Sequence, residues 1–190
     1  LLTGLVFLAL AARFGASPWT LVYWSFAEAL VAAALIDYDH QIIPDAISLG
    51  GLAVALVVVP FVAWQGGESY VSALVHSGVG AAVGAGVLWT VAFLHARISV
   101  AMGRRFEHWP GEGVALPGPL DADYWLWFPG LGLGDVKLLA MIGAFQGQEG
   151  VLFAMFAGSL QGMLAVGVSK LTGWKLGPDH PFDDDDEESD

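Results

Sequence analysis

The chain has 190 residues, of which 56% are hydrophobic and only 14% charged, against roughly 25% charged in an ordinary soluble domain. With a mean hydropathy of +0.63, this composition excludes a typical soluble globular domain and reads as a membrane protein. The net charge of −12 does not imply an acidic surface throughout, because seven acids lie in DDDDEESD between Asp183 and Asp190. Cysteine is absent, which excludes disulfides, a thiolate nucleophile and a cysteine zinc site.

Apolar runs are continuous rather than alternating, so they predict membrane helices. Six spans are expected: Leu1 to Phe14, Trp19 to Ile36, Ala46 to Trp64, Val71 to His95, Trp125 to Gly147 and Val151 to Leu171. The first reads as truncated, since the chain opens inside an apolar run with no initiator Met and no signal-peptide pattern. Glycines 130, 132 and 134 interrupt the fifth before its continuous part begins at Val136. The expected fold is all-α, a polytopic transmembrane bundle of about six spans. A membrane-embedded domain covers 1–171, with a 96–131 connection, and an acidic, disordered tail follows at 172–190.

Between the fourth and fifth spans, Arg97, Ile98, Met102, Arg104, Arg105, Phe106 and Trp109 suit a helix lying in the membrane interface. The following PGEGVALPGPLDADYW is expected to be irregular, and Trp125, Trp127 and Phe128 to form an interfacial aromatic belt. Lys and Arg near span ends favour the cytoplasm. With six crossings, Arg97, Arg104, Arg105, Lys137, Lys170 and Lys175 share one side and Arg13 takes the other. That side also holds the Asp37 loop, Asp135 and the tail.

Two acidic clusters sit at span ends, LIDYDHQIIPD (35–45) and GLGLGDVKLLAMIGAF (130–145). A carboxylate where a chain enters lipid is costly and calls for a reason. Alone, either Asp37 or Asp135 is more readily a cap or a solvated interfacial residue. Together, on one membrane side, they are expected to meet. Two nearby carboxylates cannot both ionise cheaply, so such a pair shares one proton. One can then deprotonate a water while the other polarises a peptide carbonyl, which is aspartic protease chemistry.

Around this pair, Pro44 disfavours helix at Ile43, so the chain is expected to break or turn between the second and third spans. Gly132 and Gly134 permit unusual backbone angles and close approach of another chain. Asp39 reads as solvent-exposed or as supporting the pair, and Asp45 as a cap for the third span. Lys137 reads as a snorkelling anchor on a different face from Asp135. Metal binding by Asp37, Asp39 and Asp45 has weak support, because no defined loop spacing accompanies them; no metal is expected.

His40 is an ordinary loop histidine, and His76 and His95, at opposite ends of one span, suggest no joint ligand set. Glu28 is an intramembrane acid for which Ser25 or Gln161 could provide a hydrogen bond. Small residues in the fourth span (Gly78, Gly80, Gly84, Gly86) and the sixth (Gly158, Gly162) read as helix-packing surfaces.

IDYDHQIIPD together with GLGLGDVKLLAMIGAF, in that order, resembles the type IV prepilin peptidases, GxGD-type membrane aspartyl proteases of the bacterial inner membrane. The opening LLTGLVFLALAARFG is similar to that family's segment after its cytoplasmic domain, and the resemblance covers roughly Leu1 to Leu171. It implies that Asp37 and Asp135 are the catalytic aspartates. It also implies that the substrates are type IV prepilins and type II secretion pseudopilins, cut on the cytoplasmic side to remove a basic leader. No nucleic-acid partner is expected.

Family members often carry an N-terminal cytoplasmic domain with four zinc-binding cysteines and a final helix opening with a GPF-type motif. Neither is seen here, so the chain reads as a fragment at both ends. The family commonly methylates the new N-terminus with S-adenosylmethionine; for this chain the peptidase step is expected to need no cofactor. Two other readings are a transporter or channel component relaying protons or cations, and an inactive assembly subunit. A transporter favours acids near the bilayer midplane and a repeat of broken helices, whereas these acids sit at span ends.

Overall fold

The computed structural model describes residues 1–104, 115–129 and 131–173. It is all-helical over these residues: α1 (Leu2–Phe14), α2 (Pro18–His40), α3 (Asp45–Gln65), α4 (Tyr70–Ala101), α5 (Ala122–Leu126) and α6 (Leu133–Thr172). Four of them, α2, α3, α4 and α6, are long and apolar enough to cross a membrane. The difference from six expected spans has two causes. Helix α1 has 13 residues, short of the roughly 20 a full crossing requires. The expected fifth and sixth spans are joined in α6, which breaks at Gly147 (φ 70, ψ −173).

That break is a reversal. A Cβ built on Gly143 would reach Val151 Cγ2 at 2.9 Å, and Asp135 and Ser159 line the same groove. Neither closeness is possible along a straight helix, so the limbs 133–146 and 148–172 run antiparallel.

The most extensive helix contact joins α4 to α6. Ser77 Oγ donates to the Ala144 carbonyl at 2.6 Å, which satisfies a polar group in an apolar setting. Gly80 then lies against Gly143, and Gly84 against Leu139. One turn up α4 is matched by one turn down α6, so the first limb of α6 is antiparallel to α4. The register continues to Leu88 and Asp135, which share a groove. Of the four small residues expected to pack the fourth span, Gly80 and Gly84 do so, while Gly78 and Gly86 face open space. A second core forms where Val22 and Phe26 of α2 meet Ala55 and Val59 of α3 and Met141 and Phe145 of α6.

Helix α3 has 21 residues, a length of roughly 30 Å that equals the hydrocarbon thickness of a bilayer. Helix α4 has 32 residues, and its part from 89 to 101 runs roughly 20 Å past the level of Asp135. This corrects the expectation of a separate interfacial helix beginning at Arg97, since Arg97 and Ile98 belong to α4; Arg105, Phe106 and Trp109 lie outside the described residues. The helix continues because its polar end is covered. The Arg97 guanidinium lies 3.7 Å from the Tyr124 ring centroid and 5.2 Å from that of Phe93, and it donates to the Tyr124 carbonyl.

Trp125 stacks on Phe93 and Trp89, at 5.2 and 6.3 Å, and Phe128 is buried against Ala92 and Ala96. The segment expected to open the fifth span at Trp125 therefore folds back on α4 instead, and α6 starts at Leu133. The acidic tail, from 174 onward, lies outside the described residues.

Candidate active site

Helix α2 runs through Asp37 and Asp39 to His40, one turn beyond the expected break, and ends on Gln41 in the left-handed region (φ 52, ψ 36). Pro44 is extended and occupies the N-cap position of α3. Asp37 and Asp39 are both exposed on the last turn of α2.

Gly132 is the N-cap of α6, which puts Asp135 in the first helical turn. There the helix macrodipole and unpaired N–H groups favour an acid. The Asp135 carboxylate is half-buried, is hydrogen-bonded to backbone at Gly132, and is close enough to Asp37 to interact electrostatically with it. The last of these places the end of α2 and the start of α6 within electrostatic range of each other.

Two contacts hold the converging segments together. A Cβ on Gly134 would stand 3.1 Å from Ile43 Cβ, so the glycine lets the start of α6 pass tightly over the turn after α2. Lys137 Nζ makes an ion pair with Asp45 Oδ1 at 2.6 Å. Both partners of that pair depart from expectation. Asp45 is the first residue of α3, with no side-chain cap bond; its carboxylate reaches across to Lys137. Lys137 is a tie between α6 and α3, not a lipid-facing anchor, because a carboxylate of opposite charge stands within reach of its stem.

The remaining candidates separate from this centre. His40 is exposed at the end of α2, and Glu28 is exposed midway along it. Ser25 Oγ donates to the Leu21 carbonyl and is not committed to Glu28; Gln161 is exposed on the second limb of α6. Among the described residues no three His, Asp or Glu side chains group closely enough to hold a metal ion. Sequence reasoning names Ile43 only as a break in the helix and Trp125 and Phe128 only as an interfacial belt, and foresees neither the contact of Ile43 with Gly134 nor the packing of the aromatics on α4. A signal for Ile43 exists in its position just before Pro44, where an extended residue must face something.

Asp135 opens into an apolar groove of about 650 Å³ between α4 and the two limbs of α6. Apart from Asp135, its side chains are aliphatic or thioether except for Ser159. It offers no aromatic wall or second carboxylate of the kind that would hold an adenosine and its ribose, and no methyl-transfer step is assigned to these residues.

Residues 24–167 match the type IV leader peptidase family. Among curated proteins, a prepilin leader peptidase/N-methyltransferase of Pseudomonas putida is 33% identical over 164 residues, covering 86% of this chain and 45% of that protein. A protein of the same name from Dichelobacter nodosus is 28% identical over 158 residues, covering 83% of this chain and 42% of that protein. The chain thus spans less than half the length of these relatives. No solved structure gives a significant match.

Proposed function

The chain belongs to the type IV leader peptidase family, and on that premise we propose that it is the membrane part of an aspartic endopeptidase in which Asp37 and Asp135 share one proton and hydrolyse the leader bond of prepilins. The observation that carries this reading is the approach of Asp37 to Asp135, from helices far apart in sequence.

In the proposed reaction the ionised carboxylate takes a proton from water as the water oxygen attacks the scissile carbonyl carbon. The protonated partner gives its proton to the carbonyl oxygen. Collapse of the tetrahedral intermediate breaks the C–N bond. The departing nitrogen takes up the proton that came from water, and the intermediate's hydroxyl returns the other to the dyad. The products are a leader carboxylic acid, which ionises by giving its proton to the new N-terminal amine, and the pair again holds one proton.

The distribution of basic residues supports a site on the cytoplasmic side of the bacterial inner membrane. Arg97, near the end of α4, and Lys170, in the last turn of α6, lie toward the same end of the bundle as Asp135, whereas Arg13 ends α1 near the opposite end. On that side the acids around the pair attract a basic leader, an effect screened by salt. Type II secretion pseudopilins are substrates under the same reading.

The test is cleavage of a prepilin in proteoliposomes by Asp37→Asn and Asp135→Asn. Each is expected to insert normally and to cut nothing; retained cleavage by both would overturn the assignment.

A further inference from the structure

At the end of the bundle opposite Asp135, α2, α3, α4 and the first limb of α6 surround another cavity, of about 360 Å³. It lies where α2 and α4 begin, α3 ends and α6 reverses at Gly147. Its floor is apolar, made by Val59, Ala63 and Phe145, and Val59 lies roughly 9 Å below the end of α3. The rings of Trp19 and Tyr23 form one wall, their centroids 6.0 Å apart and their planes 30° from parallel. Glu68, Ser72, His76 and Gln146 bring polar side chains to it.

The local sequence sets Glu68 in this position. Gly67 takes a left-handed φ of 96 and lets the Glu68 N–H return to the Ala63 carbonyl at 3.1 Å, closing α3 in a Schellman turn. The residue in that place frequently packs an apolar side chain on the helix end; here a carboxylate joins Ala63 in lining the cavity. The start of α4 offsets the carbonyl end of α3, so the charge of the carboxylate itself calls for a counter-ion. Among the described residues no Lys or Arg pairs with it, and none lines the cavity. Arg13, which ends α1 at this end of the bundle, lies over the Phe14 ring. His76 does not supply the missing charge. A Cβ on Gly147 would stand 2.3 Å from His76 Nε2 and 3.0 Å from Glu149 Oε2, so a proton on His76 already has an acid beside it.

From this arrangement we infer that the cavity binds the ammonium group of a lipid headgroup. A carboxylate beside the rings of a Trp and a Tyr is the surrounding that an alkylammonium ion takes up, whereas an anion would meet Glu68 and Glu149 and no base. Among the described residues no three His, Asp or Glu side chains group closely enough to hold a metal ion instead. The lipid as source follows from depth. Helix α3 spans roughly the hydrocarbon thickness of a bilayer, so Glu68, just past its end, stands at headgroup level while the apolar floor lies at the level of the acyl chains. A ligand cationic at the top and apolar beneath matches both. Bound there it bridges α2, α3, α4 and α6 at roughly 30 Å from the Asp135 end, so it acts on the cohesion of the bundle. The inference is independent of the hydrolytic assignment.

The chain has no cysteine, so a single introduced cysteine reports occupancy. Ser72→Cys lies in the cavity wall, and Val71→Cys, at an exposed neighbour on α4 outside the lining, is the control. Each is reconstituted in vesicles of phosphatidylglycerol alone or of phosphatidylglycerol and phosphatidylethanolamine in equal parts, and its alkylation by the uncharged reagent N-ethylmaleimide is timed. The two lipids share a phosphate and differ in the ammonium. Phosphatidylethanolamine is expected to slow alkylation at Ser72→Cys about fivefold or more relative to Val71→Cys, the protection of a site that is mostly filled. Glu68→Gln and Trp19→Leu, each combined separately with Ser72→Cys, are expected to remove most of that protection.

Equal rates at Ser72→Cys in the two kinds of vesicle, equal slowing at Val71→Cys, or full protection retained in either double variant would each overturn the inference. So would a Ser72→Cys that fails to react in phosphatidylglycerol vesicles, since the cavity would then be closed to any ligand. Ethanolamine dissolved in water and added to phosphatidylglycerol vesicles separates the two sources of an ammonium. It lacks the apolar part and is expected to protect weakly; protection equal to that by the lipid would assign the cavity to a soluble amine and overturn the lipid. No arm uses turnover, so loss of prepilin cleavage leaves this result intact, and failure of protection leaves the hydrolytic pair untouched.

Discussion

One methyl group at Gly84 should separate α4 from α6, the helix that carries Asp135. A Cβ there would stand 2.8 Å from the Leu139 carbonyl carbon and 3.2 Å from the Ala140 nitrogen, where ordinary contact begins near 3.4 Å. These are backbone atoms of α6, so no rotamer change relieves the overlap. The Leu139 carbonyl oxygen is nearer still, so the helices must part by more than the 0.6 Å between 3.4 and 2.8 Å that the carbonyl carbon alone requires. Overpacking of this kind costs about 1–3 kcal/mol, offset in part by the roughly 0.5–1 kcal/mol that Ala gains over Gly in a helix. Gly84→Ala is therefore expected to lose on the order of 1 kcal/mol.

The effect on catalysis should be larger than the effect on stability. Leu139 lies one turn from Asp135 along α6, and a misplacement of about 1 Å in an active site can cost about a hundredfold in rate. A displacement of more than about 0.6 Å predicts a loss of roughly tenfold to a hundredfold. The assay pairs thermal unfolding of the detergent-solubilised protein, followed by Trp fluorescence, with the rate of prepilin cleavage in liposomes. Gly86→Ala, where nothing lies within 4 Å, serves as the internal reference and should be neutral or slightly stabilised with native activity. A Gly84→Ala protein with native midpoint and native cleavage would refute the α4–α6 register and the positioning argument built on it.

Three further outcomes follow from the same contacts. Lys137→Met should change stability by less than about 1 kcal/mol, since the pair with Asp45 is 29% and 60% exposed and such pairs contribute little; cleavage should nonetheless fall severalfold, with partial recovery in an Asp45→Lys, Lys137→Asp swap. Gly134→Val should abolish cleavage by wedging α6 off Ile43, with Ile43→Ala restoring part of it in the double variant. Gly147→Ala should destabilise by about 1–3 kcal/mol, because φ 70 and ψ −173 is a region open essentially to glycine alone. His76→Ala, which clears the space a Cβ would enter, should not rescue it, and circular dichroism melts of the two variants decide this.

How much was legible in the sequence depends on the range of the interaction. Asp37 and Asp135 could be placed at one end of the bundle because each marks a span end, and counting spans assigns ends to membrane sides without any knowledge of packing. Gly134 could be read as a point of close approach because glycine, lacking a Cβ, lets another chain come near the backbone. The partner of Asp45 could not be read: Lys137 is one of seven basic residues, and only the passage of α6 over the 41–45 turn selects it. Arg97 misled for a related reason. A guanidinium ordinarily marks the edge of an apolar helix, but Tyr124 and Phe93 receive it on their faces, so α4 continues and the aromatic segment returns to cover it.

Glycine shows the same division most clearly. Sequence spacing groups Gly78, Gly80, Gly84 and Gly86 as one packing surface, yet a helix has only one side toward each neighbour, so the residues at 80 and 84 meet α6 and those at 78 and 86 do not. Gly158 and Gly162 have the same four-residue spacing as Gly80 and Gly84 and, among the described residues, meet no neighbour. Spacing therefore predicts that a face can accept a helix at short range, and the fold decides whether that helix belongs to the chain. For α4 it is α6. For the second limb of α6, beside Asp135, no helix among the described residues fills it.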